Sequence, residues 1–77
     1  MSDHEPRTLL VFRSIHEVLA AERALKAAGL QPDLVPVPRE INPNCGMAIT
    51  IPPEATGPAT AALADNPPVA TVPGWTP

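Results

Sequence analysis

The single cysteine, Cys45, is the residue of this sequence best suited to do chemistry. A thiolate is a strong nucleophile, and nearby cations or a helix N-terminus lower the pKa of a cysteine thiol by about one to several units. Gly46 follows Cys45 and leaves access to the sulfur, while Arg39 and Glu40 lie in the same predicted loop. Because polar loop residues surround Cys45, the sequence favours a reactive thiol over the buried, inert cysteine that is the ordinary alternative.

Three further side chains are candidates to support the thiol, and each has a plain structural alternative. His16 could polarise or protonate a group near the sulfur, or it is a solvated residue in the first turn of a helix. Arg39 could pair with the thiolate, or with Glu40 or Asp65. Ser14 is fully explained as a helix N-cap, so it supports the site through that helix and is assigned no nucleophilic role.

Other chemistries lack the residues that they need. His4, His16 and Cys45 are the only candidate soft metal ligands, and no zinc-type spacing connects them, so we expect no metal. The sequence has neither a phosphate-binding glycine loop nor paired carboxylates, and no cofactor is expected. A lone cysteine excludes an intramolecular disulfide and a Cys-x-x-Cys redox pair. With a net charge of −3 and 3% aromatic residues, the chain is not expected to bind nucleic acid.

The hydrophobic core that could position this site is small. The sequence has 77 residues, enough for one small domain. Its longest strongly apolar run, from Leu9 to Phe12, is too short to cross a membrane, and the acidic N-terminus does not resemble a signal peptide. We expect a cytoplasmic domain at 7–73, between a flexible tail at 1–6 and a C-terminal tail at 74–77. So thin a core favours a homodimer or a larger host complex.

Hydrophobic periodicity and turn residues predict the element order β-α-β-β-α-β. Ser14 stands three residues before Glu17, the pattern of a capping box, and Gly29 is the expected left-handed stop of the first helix. The strands are expected at 8–13, 33–37, 47–51 and 69–72, and the helices at 15–28 and within 54–65. The inner face of the first helix is predicted to consist of Ile15, Val18, Ala21, Leu25 and Ala28.

The prolines indicate how the strands are arranged. Pro36 lies inside the second predicted strand, and Pro67, Pro68 and Pro73 bracket the fourth, whereas no proline lies inside the first or the third. Because proline cannot donate to a sheet ladder, it is confined to edge strands. The ferredoxin-like split βαβ fold has the antiparallel sheet order 4-1-3-2, in which strands two and four are the edges. The sequence therefore predicts an α+β, ferredoxin-like sandwich with two helices on one face of the sheet.

This topology gathers the candidate site residues at one edge of the sheet. The end of the first strand, the start of the first helix and the start of the third strand meet there. Arg13, Ser14 and His16 are thereby expected near Cys45, and Asp65 and Asn66 nearby. Trp75 is expected at the opposite end, as a packing or partner residue.

The segment from Leu34 to Ile41, followed by Cys45-Gly46, resembles the family of putative selenium/sulfur carrier proteins. Members typically show a strand ending in Phe-x-Ser, a helix with Ala-Glu-x-x-Leu-Lys closed by glycine, a Pro-x-Pro-Arg-x-Ile segment and a Cys-Gly pair. In this sequence these features are, in order, Phe12 and Ser14; Ala21, Glu22, Leu25 and Lys26 with Gly29; Pro36 to Ile41, which contains Pro38 and Arg39; and Cys45-Gly46. The resemblance covers roughly residues 8–51 and departs from the family at Asn42-Pro43-Asn44, where Pro43 should stiffen the loop.

The resemblance implies a carrier protein rather than a stand-alone enzyme. Cys45 would hold sulfur or selenium as a persulfide or selenosulfide, between a donor such as a cysteine desulfurase and an unidentified acceptor. Arg39 and the N-terminus of the first helix would stabilise the anionic sulfur, with His16 a lesser candidate. Two other classes stay open: a non-catalytic interaction or regulatory module in which Cys45 is incidental, and a thiol redox sensor.

Overall fold

The chain forms a four-stranded antiparallel sheet with two helices, in a computed structural model that describes residues 6–38, 40 and 46–76. The strands are β1 (Arg7–Val11), β2 (Asp33–Pro36), β3 (Met47–Ile51) and β4 (Ala70–Trp75), and the helices are α1 (Ile15–Ala27) and α2 (Thr56–Ala62). A 3-10 turn at Pro53–Ala55 leads into α2. The spatial order is β2-β3-β1-β4, which confirms the predicted sheet order and the α+β class.

The prolines occupy the edge strands, as predicted. Pro36 lies in β2 and Pro73 in β4, the two outer strands. At the end of β2, the Val37 N–H donates inward to the Gly46 carbonyl at 2.9 Å. N–H groups point alternately to the two sides of a strand, so the Pro36 nitrogen, which has no hydrogen, points outward from the sheet. The outer edge of β2 therefore lacks a hydrogen-bond donor there.

Helix α1 begins and ends with the residues that the sequence indicated. Gly29 has a φ of 80°, and it follows the C-cap residue Ala28. The Gly29 N–H donates to the Lys26 carbonyl and the Leu30 N–H to the Leu25 carbonyl, both at 3.0 Å. These are the two hydrogen bonds of a Schellman motif, which requires the left-handed conformation that glycine adopts without strain. Gly29 thus ends the helix.

The buried face of α1 is narrower than predicted. Val18, Ala21 and Leu25 are buried, but Ile15 is 42% exposed and Ala28 is exposed as well. Ile15 lies about 60° around the helix from Val18, which turns it towards the flank, because each helical residue advances by about 100°. Ala28 is the C-cap and stands beyond the last helical residue. The prediction of these two residues as core residues is wrong.

Two apolar clusters lie on opposite faces of the sheet. The larger one joins both helices to the sheet through Leu10, Phe12, Val18, Ala21, Leu25, Ile49, Ile51, Ala55, Ala59 and Leu63. The smaller one, on the other face, consists of Leu9, Val11, Val37 and Ala48, with Val35 and Trp75 packed against it. Strand β1 therefore buries apolar side chains on both faces, as its sequence predicted.

Strand β4 extends further than the sequence suggested. It was expected to end at Val72, with residues 74–77 as a tail, but it runs to Trp75. Leu9 pairs with Val72 and Arg7 with Trp75, so β4 contains one extra residue between these pairs. Gly74 has a φ of 71° there and forms a β-bulge. The bulge turns Trp75 onto the face of the smaller cluster, because one added residue reverses the side to which a strand residue points.

Candidate functional site

The end of β1, the start of α1 and the start of β3 lie at one edge of the sheet. The register pairs Thr8 with Ile51 and Leu10 with Ile49, so β1 finishes where β3 begins. Strand β3 lies between β1 and β2 and runs antiparallel to both. We call this end, formed by residues 12–16, 36–38 and 46–47, the site edge. Trp75 pairs with Arg7 at the opposite end, as predicted.

Ser14 caps α1 as predicted, although the capping box is modified. The Ser14 Oγ accepts a hydrogen bond from the Glu17 N–H at 3.3 Å. In a standard box the Glu17 carboxylate would return to the N–H of Ser14. Here Glu17 Oε1 instead accepts from the Arg13 N–H, also at 3.3 Å. The serine hydroxyl and the carboxylate together fix the turn between β1 and α1.

Asn66, in the segment between α2 and β4, also holds the first turn of α1 in place. Its side-chain Nδ2 donates to the Glu17 carbonyl at 3.2 Å. The Val69 N–H donates to the Val11 carbonyl at 2.8 Å, so the segment between α2 and β4 is tied to β1 as well. Topology predicted Asn66 at this edge, but not its role as a brace. The sequence signal for this hydrogen bond was a single amide side chain, located between the second predicted helix and Pro67-Pro68.

Pro38 and Gly46 flank the loop that contains the predicted thiol. Both residues are exposed, while Val37 beside them is buried. The bond from the Val37 N–H to the Gly46 carbonyl holds the two ends of the loop together. A Cβ added at Gly46 would meet nothing within 4 Å, so packing does not require a glycine at this position. The loop thus starts and finishes at fixed points of the site edge.

Cys45 and Arg39, the predicted nucleophile and its predicted partner, lie outside the described residues, as does Pro43. His16 and the Arg13 side chain are exposed at the site edge. Neither side chain has a hydrogen bond or ion pair within the described parts of the chain. The structure therefore brings Ser14, His16, Pro38 and Gly46 to one edge, while the direct contacts of the thiol stay a prediction.

Among the described residues, the remaining charged side chains do not build a second centre. Arg7 lies at the opposite end of the sheet, where its Nε donates to Thr50 Oγ1 and its Nη2 to the carbonyls of Gln31 and Thr50. Lys26 pairs with Glu22 one turn apart on α1. Within residues 6–38, 40 and 46–76, no cluster of His, Cys, Asp or Glu is suited to hold a metal ion. No helix in that part of the chain is long and apolar enough to cross a membrane.

Comparison with known protein families identifies the chain. The model of the family described as "Putative Se/S carrier protein-like" matches residues 7–69. This match includes the whole of β1, both helices, β2, β3 and the loop with Cys45-Gly46, well over half of the chain. The chain therefore belongs to the Se/S carrier protein-like family. No curated protein and no solved structure matches it significantly.

Proposed function

We propose that this member of the Se/S carrier protein-like family carries sulfur or selenium on Cys45 between a donor protein and an acceptor protein. The family match over residues 7–69 carries the proposal, because it includes the lone cysteine and the elements around it. A carrier needs one accessible thiol and no second cysteine that would discharge the cargo as a disulfide. Cys45 is the only cysteine of the sequence.

The described part of the site edge supports this role through the N-terminus of α1. The first N–H groups of a helix lack intrahelical partners and carry a partial positive charge of roughly half an elementary unit. Ser14 and Asn66 fix the first turn of α1 by hydrogen bonds of 3.3 and 3.2 Å. The exposed Gly46, which follows Cys45, belongs to the same edge. We propose that this helix terminus and Arg39 stabilise the anionic sulfur, with His16 in a lesser role.

The transfer step needs no external oxidant or reductant. The Cys45 thiolate attacks the terminal sulfur of a donor persulfide, the donor S–S bond breaks, and the donor thiolate leaves with the bonding electron pair. A new S–S bond forms on Cys45 and the persulfide proton equilibrates with water. Delivery repeats the exchange, since an acceptor nucleophile takes the outer sulfur and the Cys45 thiolate is released. Selenium follows the same course as a selenosulfide.

The proposal is tested by intact mass after incubation with glutathione persulfide. We expect the wild-type chain to gain the mass of one sulfur that dithiothreitol removes, and Cys45→Ser to gain none. Alkylation against pH should give a thiol pKa below the value of about 8.5 for free cysteine. A thiol that alkylates slowly and stays unmodified contradicts the carrier role and favours an interaction module. A reversible dimer or sulfenic acid formed with oxidant, but not with persulfide, favours a redox sensor.

We also propose that the connectivity is that of the ferredoxin-like split βαβ fold. Supporting this are the element order β1-α1-β2-β3-α2-β4 and the sheet order β2-β3-β1-β4. An experimental structure is the test, and a left-handed β1-α1-β2 crossover would contradict it, because such crossovers are almost always right-handed.

A further inference from the structure

The exposed apolar side chains of α1 are concentrated at the start of the helix and on one flank. Ile15 and Leu19 are 42% and 37% exposed and lie one turn apart. Asn66 contacts Glu17 on the other flank, the side of α2 and β4. A rotation of about 100° per residue places Ile15 and Leu19 on the flank away from Glu17, towards the β2 side of the sheet.

Strand β2 exposes apolar side chains on the facing side. Leu34 and Pro36 pair with Ile49 and Met47, whose face of the sheet carries the helices. Leu34 is nevertheless 36% exposed and Pro36 is exposed, so α1 does not cover them. Ile15 and Pro36 belong to the site edge. Leu19 and Leu34 each lie about 6 Å further in, as one helical turn and two strand residues require.

The exposed apolar side chains on the facing flanks of α1 and β2 are together called the α1–β2 surface: Ile15, Leu19, Leu34 and Pro36. It begins at the site edge and ends one turn along α1, where Glu22 and Lys26 form an ion pair at 3.4 Å. Isolated exposed apolar residues need no explanation, but a grouped set beside a candidate site points to a binding partner.

The charges around the surface select the kind of partner. The carboxylates of α1 are engaged, Glu22 with Lys26 and Glu17 with the Arg13 N–H. The guanidinium groups of Arg13 and Arg23 are exposed, and neither has an ion pair among the described residues. A matching partner therefore presents apolar side chains with carboxylates beside them. A second copy of this chain fits less well, because it would bring its own exposed Arg13 and Arg23 against the same two arginines.

We propose that the α1–β2 surface docks the protein that supplies sulfur, a persulfide-bearing donor of the cysteine desulfurase class. This inference rests on the proposed function, since it names the partner of the same site. Docking there would hold the donor beside the edge at which the Cys45-Gly46 loop returns to β3. Arg13 and Arg23 attract its carboxylates, while Ile15, Leu19, Leu34 and Pro36 contact its apolar side chains.

The test measures binding of a purified cysteine desulfurase to the chain in a Cys45→Ser background, so that the readout does not depend on sulfur transfer. Leu19→Ser and Arg23→Glu should each weaken binding about tenfold, as central contacts of an interface commonly do. Val72→Ser is the matched control, because Val72 is also 37% exposed but lies on β4, and its affinity should stay within about twofold. Added salt should weaken binding of the parent chain more than that of Arg23→Glu.

The two proposals fail differently. Absence of desulfurase binding, or equal binding by all variants, overturns the docking surface even if glutathione persulfide loads Cys45. A parent chain that is dimeric by light scattering and becomes monomeric with Leu19→Ser assigns the surface to a second copy and also overturns it. If desulfurase binds as expected but glutathione persulfide never loads the wild-type chain, the carrier role fails and the docking surface stands. Circular dichroism of each variant verifies that the fold is kept.

Discussion

At the scale of single residues, the hydroxyl of Ser14 holds the start of α1 in place. Ser14→Ala removes its bond to the Glu17 N–H and should lower the free energy of unfolding by about 1 kcal/mol. Urea unfolding followed by circular dichroism measures the change. Ser14→Asn serves as the control, since asparagine caps helices equally well and should keep nearly all of the stability. If Ser14→Ala and Ser14→Asn lowered the free energy of unfolding equally, the loss would not come from the capping hydrogen bond.

The same residues show what could be predicted at this scale. Ser14 and Glu17 carry a local signal, because a cap and its N–H partner are three residues apart, and the sequence located both. Asn66 is 49 residues from Glu17, so its bond to the Glu17 carbonyl depends on how the whole chain folds. Cys45 and Arg39 were proposed from their types and neighbours, and their contacts stay predictions.

At the scale of elements, Gly29 is the residue that ends α1. Its φ of 80° is strained for any residue with a side chain, so Gly29→Ala should destabilise the fold by about 1 kcal/mol. Gly46→Ala is the matched control. Gly46 does not have a positive φ, and a Cβ there meets nothing within 4 Å, so its stability should change by less than about 0.5 kcal/mol. Thermal unfolding of both variants shows whether the loss of stability comes from the positive φ of Gly29 or from replacing a glycine in general.

Arg7 joins three strands at the end of the sheet opposite the site. It belongs to β1, donates to the side chain and carbonyl of Thr50 in β3, and lies 3.5 Å from the Asp33 carboxylate in β2. Arg7→Met should cost about 1–3 kcal/mol, because the buried Thr50 loses donors from a charged group. Asp33→Asn should cost less than about 1 kcal/mol, since that carboxylate is 71% exposed. Denaturant titrations of the two variants compare them, and the reverse ranking would contradict this account.

The strands also show where periodicity fails as a guide. Strand β3 alternates cleanly and its bounds, Met47–Ile51, were predicted correctly. Strand β4 was cut short because Pro73 and Gly74 look like the start of a tail. The bulge at Gly74 lets the strand continue, and it reverses the alternation, so that Trp75 packs with the smaller cluster. A bulge depends on pairing with β1, which the local sequence does not reveal.

At the scale of the whole molecule, both open edges of the sheet contain a proline. Pro36→Val restores an N–H on the outer side of β2 and should increase self-association, because an unpaired strand edge is a template for another strand. Light scattering of concentrated samples over days measures it. Pro67→Ala, in the exposed segment before β4, is the control and should behave as the wild-type chain. Equal behaviour of the two variants would show that Pro36 has no protective role.

The prolines in the two outer strands bear on the concentration at which this protein stays in solution. Under the proposed carrier role each copy holds one atom of cargo at a time, so the amount of sulfur or selenium in transit rises with the number of copies. Abundance exposes a small sheet protein to stacking into fibrils, whose growth rate rises with concentration. A proline in each outer strand is expected to slow that growth without covering the helical face or the site edge. We therefore expect the prolines of the edge strands to let this protein stay in solution at high concentration.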